Sequence, residues 1–296
     1  ETLLFRKIEI LLPVMNTFHK PVMVAEVMDG LDVATGKKYI DATFGGGGHS
    51  IEILKRGGIV LGIDRDPEAV ELAKQNLQWK IVRGNFRDIE KIAKENGFEN
   101  ADGILFDLGV SSHQIDTPSR GFSYRYEKSP LDLRMDPEEG IPAGEYINKL
   151  SEEELYEIFT KFGEEKLARA IAGAIVRARR KRRLTTVGDV VEIVSGKVRD
   201  EKGRTSTLSR IFQALRIAVN DELGALKSGL WGAKKVLKPG GRLVVLSFHS
   251  LEDRIVKRET RELGFRPVNK RPMTPRANEI QENHRSRSAK LRIAVK

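Results

Sequence analysis

The chain has 296 residues, of which 40% are apolar and 32% charged, so it is long enough for one large domain or two ordinary ones. It contains no cysteine, which excludes disulfides, thiolate metal sites and a cysteine nucleophile, and fits a reducing cytoplasm. The net charge of +10 favours an anionic partner such as nucleic acid, unless it reflects only a surface rich in lysine and arginine.

Residues 1–16 contain two apolar runs that charged residues interrupt. This segment is too short to span a membrane and has no small-residue cleavage site, so we expect no membrane association. We interpret it as a variable extension, with Met15 as an alternative start. A short helix over Val24–Met28 is then expected to pack beside the glycine-rich stretch that follows.

The next stretch has the pattern of a mononucleotide-binding βαβ unit. Four consecutive glycines let the backbone turn sharply and expose its N–H groups. Asp64 follows the second strand, where a carboxylate can accept hydrogen bonds from the hydroxyl pair of a ribose. The predicted elements are a strand (Lys38–Thr43), the glycines (Gly45–Gly48), a helix (Ile51–Arg56) that Ser50 is expected to cap, and a strand (Ile59–Ile63).

The glycine loop favours one nucleotide cofactor over another. The dinucleotide pattern Gly-x-Gly-x-x-Gly fails, because its third glycine falls on Ser50 or Ile51. The spacing of Asp41, Gly45 and Gly47 instead resembles motif I of S-adenosylmethionine (SAM) methyltransferases. SAM has no pyrophosphate, so the third glycine is not required. We therefore predict SAM in preference to NAD.

Two further strands are predicted before the α/β pattern stops. Lys80–Arg83 is followed by Phe86, which is placed either to stack on an adenine or to fill the core. Before this strand, a helix that starts at Pro67 is expected to use Leu77 on its apolar face. Ala101–Phe106 leads into Asp107, which either faces the reaction centre or caps the next turn.

From Ser112 the chain is predicted to form a helical insertion, because a structureless loop of nearly a hundred residues is improbable. Ser151 and Glu154 form a capping-box pattern at the start of one helix. A second helix is expected from Glu164, with Leu167 on its buried face, and a third from Thr186.

The second helix ends in Arg177-Ala-Arg-Arg-Lys-Arg-Arg183, which has six basic residues in seven. A solvated helix end is the alternative explanation, since cations are favourable at a helix C-terminus. Six adjacent cations repel one another unless phosphate is nearby, so we favour RNA or DNA binding. The predicted contacts are Arg177, Arg179, Arg180, Lys181, Arg182 and Arg183.

Beyond the insertion, one long amphipathic helix is predicted over Leu208–Leu226, followed by a fifth strand over Arg242–Ser247. His249 comes after this strand, where it either relays a proton or serves capping and packing. Ser250 and Asp253 are expected to cap the next helix. The basic tail is predicted to close with a strand over Leu291–Val295.

Six motifs in this order resemble those of the bacterial small-subunit (16S) ribosomal RNA cytosine N(4)-methyltransferases, from about His19 to the C-terminus. Two stretches depart from the family pattern, namely Thr205–Arg210 and His284. The motifs are Asp41–Ser50, Asp107–Ser112, Arg120–Ser123, Phe212–Ile217, Ser247–Arg254 and Arg285–Arg292.

The resemblance implies a Rossmann-like class I methyltransferase sheet of the α/β class with an inserted all-helical domain. It implies SAM as cofactor and, as substrate, a cytidine of the ribosomal decoding region. Asp107 is the nearest candidate to accept a hydrogen from the cytosine amine, and we predict no metal site. The cofactor contacts that it implies, together with Gly45 of the loop, are Gly47, Gly48, His49, Asp64, Phe86, Asp107 and Gln114.

We predict three segments: a SAM-binding domain over 1–114, a substrate-recognition insertion over 115–206, and the return of the SAM-binding domain over 207–296. The alternative from another functional class is a catalytically silent RNA-binding factor for ribosome assembly. Asp41, Gly47 and Asp64 argue against it, because a silent protein has no reason to keep all three. The sequence leaves the oligomeric state open.

Overall fold

The computed structural model of the protein describes residues 21–74 and 80–296, so the predicted extension over 1–16, Met15 and Leu77 lie outside the described residues. The helices are α1 (Val24–Leu31), α2 (Gly48–Lys55), α3 (Pro67–Lys74), α4 (Ile89–Asn96), α5 (Ser112–Asp116), α6 (Ala143–Lys149), α7 (Glu152–Lys161), α8 (Ala168–Arg179), α9 (Val187–Ser195), α10 (Glu201–Asn220), α11 (Glu222–Val236), α12 (Ser250–Glu262) and α13 (Ala277–Glu282).

The strands of the described residues form one seven-stranded sheet in the order β3-β2-β1-β4-β5-β7-β6. The first five strands in this order are parallel, and β7 runs antiparallel between β5 and β6. This is a Rossmann-like α/β sheet, as predicted. The strands are β1 (Lys38–Asp41), β2 (Ile59–Asp64), β3 (Lys80–Arg83), β4 (Ala101–Asp107), β5 (Leu237–Ser247), β6 (Arg266–Pro267) and β7 (Lys290–Val295).

Both faces of the sheet are covered by helices, which is why its central strands are nearly continuous apolar runs. Phe106 of β4 packs in the core that includes Leu230 of α11. Its neighbour Leu105 packs on the opposite face, in the core that includes Met28 of α1 and Ile53 of α2. Burying one such side chain stabilises the fold by about 1.5–3 kcal/mol, so the two cores hold the strand tips in place.

Residues group by contact into two units, which we describe separately. One holds the sheet and its helices, up to Ser111 and again from Leu223, and the other is Ser112–Glu222. Our predicted boundaries were 115 and 207. The second observed boundary lies later, because α10 packs against α7 and α9 of the helical unit.

The helical unit begins its helices with the predicted capping signals. At α7, the Ser151 hydroxyl accepts from Glu154 N–H at 3.2 Å, and the Glu154 carboxylate accepts from Ser151 N–H at 2.7 Å. At α9, Thr186 and Asp189 form a second capping box. These reciprocal bonds satisfy backbone donors that a helix start otherwise leaves unpaired.

Three details of the predicted helices were wrong. The single long helix is divided into α10 and α11, because Asp221 adopts a left-handed conformation with φ 46°. Helix α8 begins at Ala168 and not at Glu164. Leu167, predicted on the buried face, precedes that helix and is 37% exposed.

The Thr205–Arg210 stretch, which departs from the family pattern, lies within α10. Arg210 donates through Nε to the buried Glu165 carboxylate at 2.6 Å and through Nη1 to the Ser206 hydroxyl at 2.6 Å. These bonds give Glu165 a charged partner, which a buried carboxylate requires. Among the residues that the structure describes, no helix is both long and apolar enough to cross a membrane.

Candidate active site

Acidic residues end three neighbouring parallel strands of the sheet. Asp41 is the last residue of β1, Asp64 of β2 and Asp107 of β4. Because the carboxyl ends of parallel strands meet at one edge, all three lie on the side of the sheet where ligands bind in such folds. This edge is the candidate active site of the first unit.

The glycine loop joins β1 to α2 across this edge. Gly45 and Gly47 have φ of 53° and 74°, a left-handed conformation that favours glycine. Among the residues that the structure describes, the nearest atom to a Cβ placed on Gly45 would be the Thr43 carbonyl oxygen, at 3.9 Å. The backbone at Gly45 is therefore open to close approach by a ligand.

Asp64 is fixed by two backbone donors. Gly45 N–H donates to Oδ2 at 2.6 Å, and Asp66 N–H donates to Oδ1 at 2.8 Å. Burial raises the pKa of Asp64 to about 6, although both hydrogen bonds favour the carboxylate. Each carboxylate oxygen has a second lone pair, so the oriented group can still accept from a ribose hydroxyl pair.

Asp41 and Ser50 tie α2 to β1, which corrects the predicted cap. Gly47 is the N-cap residue of α2 and, as a glycine, has no side chain that could cap the helix. The Ser50 hydroxyl instead donates to Asp41 Oδ2 at 2.7 Å, and both residues are buried. Burial raises the pKa of Asp41. The bond between Ser50 and Asp41 therefore holds the start of α2 against the end of β1.

Phe86 follows β3, at the position that we assigned either to adenine stacking or to the core. Its ring meets Phe106 edge to face, with centroids 5.5 Å apart. It packs against the core and is partly buried, and a Cβ on Gly229 would approach its ring at 2.9 Å. Phe86 thus has a core contact, and its stacking on adenine stays a prediction.

Asp107 and His49 face each other at the same edge. His49 Nδ1 lies 3.5 Å from Asp107 Oδ2, with side chains 5% and 13% exposed. The Asp107 N–H donates to the Thr43 hydroxyl at 2.6 Å, which aligns the end of β4 with the loop. Burial raises the pKa of Asp107 to about 6, and His49 acts in the opposite direction.

His249 caps α12, and the predicted caps Ser250 and Asp253 were wrong. The Glu252 N–H lies 3.4 Å from His249 Nδ1, and the Glu252 carboxylate accepts from His249 N–H at 3.3 Å. Asp253 pairs with Arg292 at 2.7 Å, and this pairing lowers the Asp253 pKa against the effect of burial. The capping alternative for His249 is therefore present in the structure, and its catalytic role stays a prediction.

The comparisons with known proteins cover nearly the whole chain. A profile of the MraW methylase family matches residues 16–296. The chain belongs to the MraW methylase family. It is 43% identical to the ribosomal RNA small subunit methyltransferase H of Carboxydothermus hydrogenoformans, over 95% of this chain and 99% of that protein. The protein of the same name from Bacteroides thetaiotaomicron is 44% identical, over 95% of this chain and 98% of its own length.

Solved structures give only a distant likeness. A precorrin 8W decarboxylase of Methanobacterium thermoautotrophicum aligns with 95% of this chain and 94% of its own, at 14% identity and a TM-score of 0.44.

The residues of this MraW family member fit SAM. The open glycine backbone suits a closely packed nucleoside, and the oriented Asp64 carboxylate suits its ribose. The three aspartates of the edge also suit a cofactor that carries a positively charged sulfonium. Gly48 is partly buried and lies against Pro21, whose ring a Cβ on Gly48 would approach at 2.9 Å. Gln114 lies on α5 in the other unit, and its contact with the cofactor stays a prediction.

Two residues of the site were not singled out from the sequence. Thr43 accepts from the Asp107 N–H, and the Val22 carbonyl oxygen lies 2.9 Å from His49 Nε2. Thr43 sits between the acid and the first loop glycine of motif I, so its position is a usable signal. Every residue has a backbone carbonyl, so the residue type of Val22 gives no indication of its contact with His49.

The basic run of the helical unit divides into two groups. Arg179 donates through Nη1 to the Ile147 carbonyl at 2.7 Å and to the Leu150 carbonyl at 2.5 Å. Arg182 is bonded to Asp189 and Glu192, and Arg183 to Glu145. In the described part of this unit, the exposed side chains of Arg177, Arg180 and Lys181 have neither hydrogen bonds nor ion pairs. Part of the expected repulsion is therefore relieved within the protein.

Proposed function

We propose that this MraW family member transfers the SAM methyl group to the exocyclic N(4) amine of a cytidine in the decoding region of 16S rRNA. The observation that carries the proposal is the fixed Asp64 carboxylate at the same sheet edge as Asp107. The family match over residues 16–296 and the names of the relatives support the class of reaction and of substrate.

SAM supplies an electrophilic methyl group when bound. Asp64 would bind the ribose, and the glycine loop would let the nucleoside approach the backbone. Holding amine and methyl donor in line provides most of the rate acceleration in such a displacement. The residues therefore act mainly by orientation.

Asp107 has a second task in this proposal. The lone pair of the cytosine amine is delocalised into the ring, which makes the nitrogen a poor nucleophile. A carboxylate that accepts one amine hydrogen localises this pair, and such general-base assistance contributes about 10²–10⁴-fold in rate. Asp107 is partly exposed at the edge, which allows it to meet a substrate.

RNA binding is assigned to the basic run of the helical unit. Arg177, Arg180 and Lys181 are exposed and can each neutralise a phosphate. Arg179, Arg182 and Arg183 add positive charge while holding α8 to its neighbours. We propose the small ribosomal subunit, in the cytoplasm, as the setting in which this surface acts.

The test is methyl transfer from tritiated SAM to small ribosomal subunits that lack the modification. The rRNA is digested to nucleosides, and label is expected in N(4)-methylcytidine. Label in another nucleoside would reject the proposed target atom, and absence of label with intact SAM binding would favour the silent assembly factor.

A further inference from the structure

His49 is held in one orientation by a backbone carbonyl. It lies in the first turn of α2 and is buried, and its Nε2 is 2.9 Å from the Val22 carbonyl oxygen. A carbonyl oxygen only accepts hydrogen bonds, so Nε2 must carry a proton. In a neutral imidazole the lone pair is then on Nδ1, the atom that faces Asp107.

Asp107 Oδ2 is 3.5 Å from that Nδ1, so two acceptor atoms face each other when His49 is neutral and Asp107 ionised. Two such acceptors attract a proton to the space between them. The other carboxylates that act on Asp107 are Asp41 and Glu252. Asp41 already accepts from Ser50, and Glu252 from two backbone N–H groups at 2.8 and 3.3 Å. The pair of His49 and Asp107 is therefore the better proton acceptor.

The proposed reaction releases one proton. The N–CH₃ bond forms as the S–CH₃ bond breaks, sulfur keeps the electron pair of the broken bond, and the amine nitrogen loses one hydrogen as H⁺. We propose that His49 is a positioning residue that, together with Asp107, holds this proton until it leaves for solvent. This inference rests on the proposed function and adds a role for His49 besides its predicted contact with SAM.

The first test measures methyl transfer in a single turnover, with saturating SAM and ribosomal subunits, from pH 5.5 to 9. We expect His49→Gln and His49→Asn to be slower by about ten-fold or more, with a changed pH profile. This is less than the roughly 10²–10⁴-fold effect of a direct general base, because His49 acts through Asp107. SAM affinity, measured by calorimetry, is expected to change by less than about three-fold, a smaller change than the loss of a hydrogen bond to a charged group would cause. Both ring nitrogens of His49 already face protein atoms, so we expect its predicted contact with SAM not to depend on the imidazole. The exposed His284→Gln is the matched control and should behave as wild type.

Either variant at the wild-type rate, or a loss of rate matched by an equal loss of SAM affinity, would overturn the inference. Wild-type enzyme that methylates no cytidine would instead reject the proposed function, which separates the two failures.

A second readout needs no activity and covers a failure of the His49 variants to fold. In protein with ¹⁵N-labelled imidazoles, Asp107→Asn is expected to change the Nδ1 signal of His49 and to leave Nε2 protonated. If the Nδ1 signal of His49 is the same in Asp107→Asn as in wild type at every pH, the inference that His49 and Asp107 share a proton is wrong.

Discussion

The Gly45 N–H donates to the Asp64 carboxylate at 2.6 Å and so joins the loop after β1 to the end of β2. One interaction thus orients the acid and shapes the glycine loop. The two features by which a SAM site is recognised in sequence, the acid of β2 and the glycines, depend on each other in the fold.

Asp64→Ala is expected to weaken SAM binding by about ten- to a hundred-fold, because hydrogen bonds to a charged group contribute about 1.5–3 kcal/mol. It also leaves the N–H groups of Gly45 and Asp66 without this acceptor, so the melting temperature should fall. Calorimetric titration measures the affinity. The matched control is Asp32→Ala, a side chain that is 66% exposed. Unchanged affinity in a folded Asp64 variant would remove this residue from the site.

SAM affinity is expected to fall as the pH is lowered through about 6, because burial raises the pKa of Asp64 to about 6 and the ribose contact uses the carboxylate. Below this pH, SAM affinity should fall by up to about ten-fold for each pH unit. Titrations from pH 5 to 8 test this. The side chain of Asp64→Asn cannot ionise, so the SAM affinity of this variant should depend less on pH. If the SAM affinities of variant and wild type fall in parallel as the pH is lowered, Asp64 is not the group that titrates.

The stability of the free protein should change in the opposite sense. The folded pKa of Asp64 is raised above the ordinary 3.8. The stability that this carboxyl contributes is therefore fully present below the ordinary value and is lost as the pH rises through about 6. Asp64→Asn should lose less stability than wild type between these pH values, as measured by urea unfolding.

Gly47→Val should abolish measurable SAM binding, because a β-branched side chain would project at the loop. Gly47 has φ 74°, so the variant is also strained, by about 1–2 kcal/mol. Gly36→Val separates the two effects, since Gly36 has φ 75° and no atom of residues 21–74 or 80–296 lies within 4 Å of its added Cβ. Both should be less stable, and only the first should lose SAM. Normal binding by folded Gly47→Val would show that the loop is misplaced.

RNA binding should distinguish the two groups of the basic run. Changing Arg177, Arg180 and Lys181 to Ser is expected to reduce the slope of log RNA affinity against log salt concentration by roughly two. Each phosphate contact contributes about 0.7–0.9 to this slope. SAM affinity should not change. Arg179→Ser should chiefly lower stability, because it removes bonds to two carbonyls.

The control for the triple variant is Lys74, Lys91 and Lys94 to Ser, which removes the same charge from exposed positions of the sheet unit. If both triple variants give the wild-type slope, the run is a solvated helix end, and the basic tail over Arg285–Arg292 becomes the next candidate.

The central strands were predictable because burial on both faces leaves apolar runs, which end at acidic residues at Asp64 and Asp107. The two-residue β6 was not predicted, and β5 begins at Leu237, five residues before the predicted start at Arg242. The hydrogen-bond partners of individual side chains could not be predicted from the sequence. Ser50 looks like a cap in sequence, yet its hydroxyl bonds to Asp41, and Arg179 looks solvated, yet its acceptors lie 29 and 32 residues earlier. Such pairings arise from packing, which residue types alone do not encode.

The central claim is that this site methylates the N(4) atom of a cytidine in small-subunit rRNA. The most direct measurement uses SAM with a deuterated methyl group, unmodified small subunits, and mass spectrometry of the rRNA fragments and nucleosides. We expect the heavy methyl group on N(4) of one decoding-region cytidine with wild-type enzyme, and a strongly reduced yield with Asp107→Asn. A heavy methyl group on another atom or on ribosomal protein, or none despite intact SAM binding, would contradict the account.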